Sequence, residues 1–427
     1  MQLTYNQTVQ AIHARPKGSE KKGLTNMLAL LAALGNPEKQ LQFVHVVGTN
    51  GKGSATALTA SVLQQAGYKV GRNVSPYILD FRERFVINGT MITEEELTEV
   101  ANIVLNAAEE AKQQTGFAPI EFEIVTAIAL YWFAKESCDI VCMEAGIGGR
   151  LDSTNAVKNT LVAYVMHMGL DHQSILGNTI AEITKEKAGV FKNNCTVISY
   201  PAQPVEALLT IQREAKNKSC PLVLPLEADI AIEEMSLAKT KMHYKNYAVT
   251  LPFGGVHQAF NTAVVIEGCL ALRGKGYSIS DEDIVNGIQQ TTFPARIEVL
   301  SEAPLVILDG AHNEDGVIAL TDLLTRTHEK EFTAVVGMVK DKDNATFLNI
   351  LAPYVKHIIF TTPPIYKALP AEMLAEMAGN KYTQIEIEPD VASAVKKAMQ
   401  ISDKVLVTGS LYLAAEARGE LLKLLNQ

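Results

Sequence analysis

Lys52 lies in Gly48-Thr49-Asn50-Gly51-Lys52-Gly53-Ser54, directly after the apolar run Phe43-Val44-His45-Val46-Val47 and directly before a segment with helical spacing. These residue types suit a nucleotide phosphate. Glycines let backbone N–H groups turn inward on the anion, a following helix adds its positive N-terminus, a lysine supplies a point charge and a serine hydroxyl can meet Mg²⁺. Thr49, Asn50, Gly51, Lys52, Gly53 and Ser54 are therefore candidate phosphate-binding residues. The spacing departs from G-x-x-x-x-G-K-[ST], because Gly53 separates Lys52 from Ser54 and no glycine opens the loop at that pattern's distance.

Two further strand ends carry chemistry. An apolar run ends in Glu144-Ala145-Gly146-Ile147-Gly148-Gly149-Arg150, and another ends in Gly169-Leu170-Asp171-His172. In open parallel sheets the ligand lies beyond the carboxyl ends of the strands, so Glu144 is placed to hold Mg²⁺ and His172 to add a metal or phosphate contact. The plain alternatives are a solvated carboxylate for Glu144 and a capping or packed histidine for His172. In the segment 179–190, helical spacing puts Lys187 on one stripe with Ile180, Ile183 and Val190, and sets Lys185 with Glu182 on another face. Lys187 either snorkels from that apolar stripe or is a functional lysine. In the second half, Asp309-Gly310-Ala311-His312-Asn313 follows a strand, and so does the segment 337–343; His257-Gln258-Ala259-Phe260-Asn261 and Pro294-Ala295-Arg296 could add contacts.

The elements that must position these residues alternate. Short β-branched strands are expected at Phe43–Val47, 139–143 and 161–166, then at Leu305–Leu308, 333–336, 357–360 and 405–407, separated by helical patterns. That order predicts an α/β chain with mainly parallel sheets covered by helices. The helix after the phosphate loop places Leu58, Val62 and Ala66 on one face and stops at Gly67. Between about 222 and 251 the pattern turns strand-like, with a hairpin through 241–250. A boundary falls near Phe293-Pro294-Ala295-Arg296, giving domains 1–296 and 297–427, and there are no repeats or heptads.

With 427 residues, length alone favours two or three domains, and the pattern above divides the chain into two. The net charge of −9 argues against a nucleic-acid partner, so an anionic substrate needs a local basic cluster. Arg15, Lys17, Lys21 and Lys22 form one such run; Arg82 and Arg84 form another. Cys138, Cys142, Cys195, Cys220 and Cys269 read as reduced, buried thiols of a cytoplasmic protein. No stretch is long enough for a membrane span.

The ordered set, extended by Ser75-Pro76, Glu83-Arg84, Leu151-Asp152-Ser153-Thr154-Asn155, Glu186-Lys187-Ala188-Gly189 and Thr408-Gly409-Ser410-Leu411-Tyr412, resembles the folylpolyglutamate synthase and dihydrofolate synthase family of the Mur ligase superfamily, the Gram-positive bacterial enzymes above all. The resemblance spans nearly the whole chain. It implies a P-loop ATPase-like N-terminal domain, a smaller Rossmann-like C-terminal domain and an active site between them. It further implies ATP and Mg²⁺, two ions in all, and small-molecule substrates, L-glutamate and a reduced folate or dihydropteroate; a monomer is expected. By the same resemblance the loop 48–54 takes the triphosphate, and Asn261, Arg296, Asp309 and His312 contact ATP. Ser54, Ser75, Glu144, His172 and Lys187 hold metal, and Lys187 matches the family's carbamylated lysine. Lys52, Lys187, His172 and His312 make up the expected catalytic set. Ser75, Pro76 and Tyr77 match the loop that covers the pterin, with Arg82 beside it as our candidate for the anionic tail. The family motif most often has histidine where Tyr77 stands and glycine where Ala295 stands; Tyr77 still offers a π-face.

The expected reaction is ligation of L-glutamate to the glutamate tail of tetrahydrofolates through an acyl phosphate, giving ADP and phosphate. One alternative is an enzyme that also adds glutamate to dihydropteroate. From another class, the loop could serve a regulatory P-loop NTPase without ligase chemistry.

Overall fold

The computed structural model describes residues 3–17, 23–340 and 342–426. Lys21 and Lys22 of the basic run, and Asp341 of the segment 337–343, lie outside them. The chain divides into two compact units, Met1–Asp229 with Phe260–Thr291, and Ile230–Ala259 with Thr292–Gln427.

An eight-stranded sheet forms the first unit. Its strands are β1 (Phe43–Val47), β2 (Val70–Asn73), β3 (Val86–Ile87), β4 (Thr90–Met91), β5 (Ile140–Glu144), β6 (Thr160–Val165), β7 (Thr196–Ser199) and β8 (Leu222–Val223). Their order is β4-β3-β2-β5-β1-β6-β7-β8. All neighbours from β2 to β8 run parallel, and only β3 and β4 pair antiparallel. β1 is buried throughout, as expected of a strand covered on both faces. It lies between β5 and β6, so the three strand ends singled out from sequence are neighbours. β2 escapes a pattern search because Gly71, Arg72 and Asn73 have neither apolar alternation nor β-propensity.

The helix Lys52–Gln65 does start at the loop, but it is apolar on more than a stripe: every residue from Gly53 to Ala60 is buried. Both of its threonine hydroxyls are satisfied within the helix, Thr56 Oγ1 donating to Lys52 O at 2.9 Å and Thr59 Oγ1 to Ala55 O at 2.8 Å, while Ser61 Oγ donates outside it to Gly287 O at 2.6 Å. This lets a polar-looking segment pack inside.

The second unit holds a three-stranded antiparallel sheet, β9 (Ile230–Met235), β10 (Thr240–Tyr244) and β11 (Tyr247–Leu251), and a six-stranded one. The latter comprises β12 (Glu298–Glu302), β13 (Leu305–Leu308), β14 (Phe332–Val336), β15 (Val355–Phe360), β16 (Gln384–Ile387) and β17 (Lys404–Thr408), ordered β12-β13-β17-β14-β15-β16. The expected hairpin pairs Lys241 with Thr250. The expected boundary at 296/297 falls at 291/292 instead, and the segment 230–259 groups with the C-terminal unit. The reason is packing: Met235 and Leu237 lie against the cluster that contains Leu323, Leu324, Phe332 and Phe347. Among the described residues no helix is long and apolar enough to cross a membrane.

Candidate active site

Gly51 caps the helix Lys52–Gln65 from the left-handed region at φ 86°, and a Cβ there would come within 2.6 Å of Asn261 Oδ1. Both facts call for glycine. The first helical bond runs from Ala55 N–H to Gly51 C=O, so the amides of Lys52 and Gly53 stand ahead of the first closed turn, where an anion is favoured. Upstream, Thr49 and Asn50 donate their amides to His167 C=O at 2.8 and 3.3 Å, and Thr49 Oγ1 donates to Gly169 C=O at 3.0 Å. The loop is thus clipped to the segment past β6 that carries Asp171 and His172.

Two lysines converge on this loop. Lys52 Nζ donates to the carbonyls of Gly48 and Thr49 at 3.2 and 3.3 Å and lies 3.9 Å from Glu144 Oε1. Lys187 is buried, and its Nζ donates to Gly48 C=O at 2.7 Å, whereas Lys185 is exposed. The helix Ile180–Ala188 that carries Lys187 is fixed to the loop after β5. Arg150 N–H donates to Glu186 C=O at 2.7 Å, a Cβ on Gly149 would come within 2.5 Å of Lys187 O, and Asn155 Nδ2 spans the carbonyls of Arg150 and Gly189 at 3.0 and 3.1 Å. His172 sits at φ 50°, with its Nε2 3.8 Å from Asp171 Oδ2.

Glu144 is buried at the end of β5. Beyond its approach to Lys52, Oε2 accepts the Ser75 N–H at 3.3 Å, which joins the acid to the loop after β2. Next along that loop, the Tyr77 ring meets Phe81 edge-on at 5.7 Å and lies under the Arg84 guanidinium at 5.2 Å. Arg82 is held by Asp80, with Nε at 3.0 and 3.1 Å from the two carboxylate oxygens and Nη2 at 2.7 Å from Oδ2. Its charge is therefore already matched, and so is that of Arg15, whose Nη1 lies 2.9 Å from Glu109 Oε1.

Sequence reasoning missed a buried relay beneath the loop after β5. His45 Nε2 is 2.9 Å from Thr154 Oγ1, which itself donates to Asp152 Oδ1 at 2.5 Å; Asp152 Oδ2 accepts the Ile147 amide at 2.8 Å. Thr154 gives its only proton to Asp152, so His45 must donate from Nε2 and leave Nδ1 unprotonated and without a partner. Burial, reinforced by Lys192, pushes the His45 pKa down to about 3 from 6.5. The unfolded chain takes up this proton first, so the stability is present above about pH 6.5 and is lost as pH falls toward the folded value. His45 alone is expected to cost about 2 kcal/mol between pH 7 and pH 5. Urea unfolding at both pH values checks this: His45→Gln should flatten the dependence, and an equal slope in parent and variant would refute it.

In the second unit, Asp309 and His312 follow β13, and Arg296 Nη1 lies 2.8 Å from where a Cβ on Gly310 would stand. Asp309 is buried, accepting the Ile297 amide at 3.0 Å and the Ala311 amide at 2.9 Å; burial raises its carboxyl pKa and these bonds oppose the rise. Arg296 lies over Phe293 at 5.2 Å between Ala295 and Ile297, both left-handed at φ 55° and 50°. The left-handed angle of Ala295 explains why glycine suits that position. His312 Nδ1 donates to Gly310 C=O at 2.9 Å, which fixes the orientation of the ring. Ser410 Oγ donates to Gly337 C=O at 2.9 Å, and Gly409 N–H to Ala311 C=O at 3.1 Å, so the ends of β13, β14 and β17 are tied together.

The chain is 36% identical over 435 residues to the dihydrofolate synthase/folylpolyglutamate synthase of Bacillus subtilis (strain 168), covering 99% of this chain and 100% of that one. The chain belongs to the folylpolyglutamate synthase/dihydrofolate synthase family. Residues 295–411 match the family model described as the Mur ligase, glutamate ligase domain. A Mycobacterium tuberculosis folylpolyglutamate synthase complexed with ADP and AMPPCP superposes with a TM-score of 0.88 at 25% identity, over 97% of each chain. A structure described as an FPGS-AMPPCP-folate complex gives a TM-score of 0.84 at 29% identity, over 98% of this chain and all of the other. The expected α/β architecture is that of these synthases.

Proposed function

We propose that this chain catalyses ATP-dependent ligation of L-glutamate to the glutamate tail of tetrahydrofolates, working as a monomer in the cytoplasm. The observation that carries the reading is the convergence of Lys52, Lys187 and Glu144 on the loop 48–54, in a family with relatives bound to ADP, AMPPCP and folate. A carboxylate is a poor acylating agent because its leaving group is oxide. Transfer of the γ-phosphoryl group makes an acyl phosphate, and the glutamate amine then displaces phosphate through a tetrahedral intermediate. The chain's part is positioning and charge neutralisation. Lys52 offsets charge on the transferring group, and the helix N-terminus holds the phosphates.

Among the described residues no three His, Cys, Asp or Glu side chains cluster as a metal cage. That fits Mg²⁺, which keeps waters and takes one or two carboxylates together with phosphate oxygens. Glu144, with Ser54, Ser75 and His172, would hold one ion, and a carbamate on Lys187 would serve a second. Bound Mg²⁺ would neutralise the β- and γ-phosphate oxygens. Glu144→Gln keeps the shape and removes the charge, so activity should fall and the magnesium midpoint rise. A titration with unchanged midpoint and normal activity would return Glu144 to a structural part.

The two-activity name of the Bacillus subtilis relative favours a second reading, in which dihydropteroate is also glutamylated. Incorporation of radiolabelled glutamate, with dihydropteroate and tetrahydrofolate offered separately, distinguishes the two. ATP turnover indifferent to glutamate and to both pterins would instead point to a regulatory NTPase.

A further inference from the structure

Residues 78–80 turn three consecutive amides onto one carboxylate. Ile78 N–H donates to Glu83 Oε2 at 2.7 Å, and Leu79 and Asp80 N–H donate to Oε1 at 2.8 and 3.0 Å. The bond from Asp80 belongs to the capping box of the short helical turn Phe81–Arg84. The other two reach beyond any cap, into the segment that carries Ser75, Pro76 and Tyr77. Bonds from amides to an ionised carboxylate are among the stronger ones available to a backbone.

The same segment is held at its other end by a second acid, since Ser75 N–H donates to Glu144. The loop therefore hangs between two carboxylates, one of which approaches Lys52 at 3.9 Å. A half-buried cation belongs to the same arrangement. Arg72 is opposite Cys142 in the β2–β5 pairing, and Glu144 stands two residues further along β5, so the three side chains share a sheet face. Arg72 Nε is shielded from solvent and has no hydrogen-bond partner. Burial lowers the Arg72 pKa, while the charges of Glu83 and Glu144 oppose that shift. Asn73 Nδ2 closes the return of the loop by donating to Arg84 C=O at 2.7 Å. Arg84 and Phe81, which contact the Tyr77 ring, flank Glu83 in the turn.

We propose that Glu83 is a positioning residue for folate binding: its carboxylate sets the path of residues 75–80 and, through it, the presentation of Tyr77 to the substrate. The proposal rests on the ligase reading above. Both Glu83 carboxylate oxygens are engaged by backbone amides, so its part is played through the loop. Glutamine is the same size but offers one carbonyl oxygen and one NH₂ group. Glu83→Gln must therefore lose the charge and set a donor against at least one of the three amides.

The test measures both the loop and the chemistry. In Glu83→Gln, hydrogen exchange at the amides of residues 78–80 should accelerate while β1 and β5 stay protected. The KM for tetrahydrofolate should rise about tenfold or more, the loss of one charged hydrogen bond. The KM for ATP and the kcat at saturating folate should stay within about twofold, and the melting temperature should stay close to that of the parent. An unchanged folate KM, or unchanged exchange at 78–80, overturns the proposal. So does a common fall in thermal stability, ATP KM and folate KM, which would mark Glu83 as a general structural residue. The parent is assayed first with tetrahydrofolate and dihydropteroate. An inactive parent removes the ligase reading and the proposal with it, whereas an active parent with an indifferent variant removes the proposal alone.

Discussion

Lys187→Ala is expected to lose roughly 10²-fold or more of ligase activity, the scale of one preorganised transition-state contact, while Lys185→Ala stays near the parental rate. The two residues are separated by one position and by their environment: Lys187 is buried with its Nζ on Gly48 C=O at 2.7 Å, and Lys185 is exposed. A carbamate forms when a neutral amine adds CO₂ and releases a proton, which replaces a cation by an anion with two oxygens. Such a group at the edge of the phosphate loop suits a second Mg²⁺ where an ammonium would repel it. Partial recovery of Lys187→Ala by acetate is expected, because a short carboxylate can fill the vacated space. A readout independent of activity is ¹³C NMR after equilibration with labelled bicarbonate, where the parent and Lys185→Ala should share a carbamate resonance that Lys187→Ala lacks. Absence of that resonance from the parent, or an active Lys187→Ala enzyme, would overturn the carbamate while leaving the ligase reading intact.

The stripe that singles out Lys187 was legible in the sequence because helical spacing is local, and Ile183, Lys187 and Val190 are all buried. Strands such as Phe43–Val47 and Leu305–Leu308 were legible for the same reason: their burial is written in consecutive apolar residues. What escaped depends on partners distant in sequence. β2 gains its place from pairing with β5, not from its own composition. Arg82 looked like an available cation until Asp80 was found chelating it. The His45, Thr154 and Asp152 relay joins residues 109 apart in sequence, and no spacing rule announces it.

Lys52→Ala should abolish detectable ligation while leaving the fold intact. Removing this charge is expected to cost about 3 kcal/mol or more of transition-state stabilisation, which is about 10²-fold or more in kcat/KM. The loop has reason to survive the change. Gly48 C=O keeps its bond from Lys187, and Thr49 keeps its amide and hydroxyl bonds to His167 and Gly169. Lys52 is also a loop-to-helix residue whose side chain contributes no packing to the apolar cluster. Circular dichroism and melting should therefore match the parent. Ligation within tenfold of the parent would sink the phosphate role, and a collapsed melting transition would show that the lysine is structural.

Met235 and Leu237 pack with the C-terminal cluster although they precede the matched stretch 295–411 by about sixty residues. Recombination between relatives is constrained as a result. A chimaera joined at 295 would pair one parent's β9 with the other parent's Leu323 and Phe332, mixing two halves of one core. A clean exchange needs joins near 229/230, 259/260 and 291/292, and the middle join falls inside the helix Val256–Arg273. Gene fragments cut at the single apparent boundary should therefore yield aggregating products, whereas a three-join exchange should keep each apolar cluster with its own side chains.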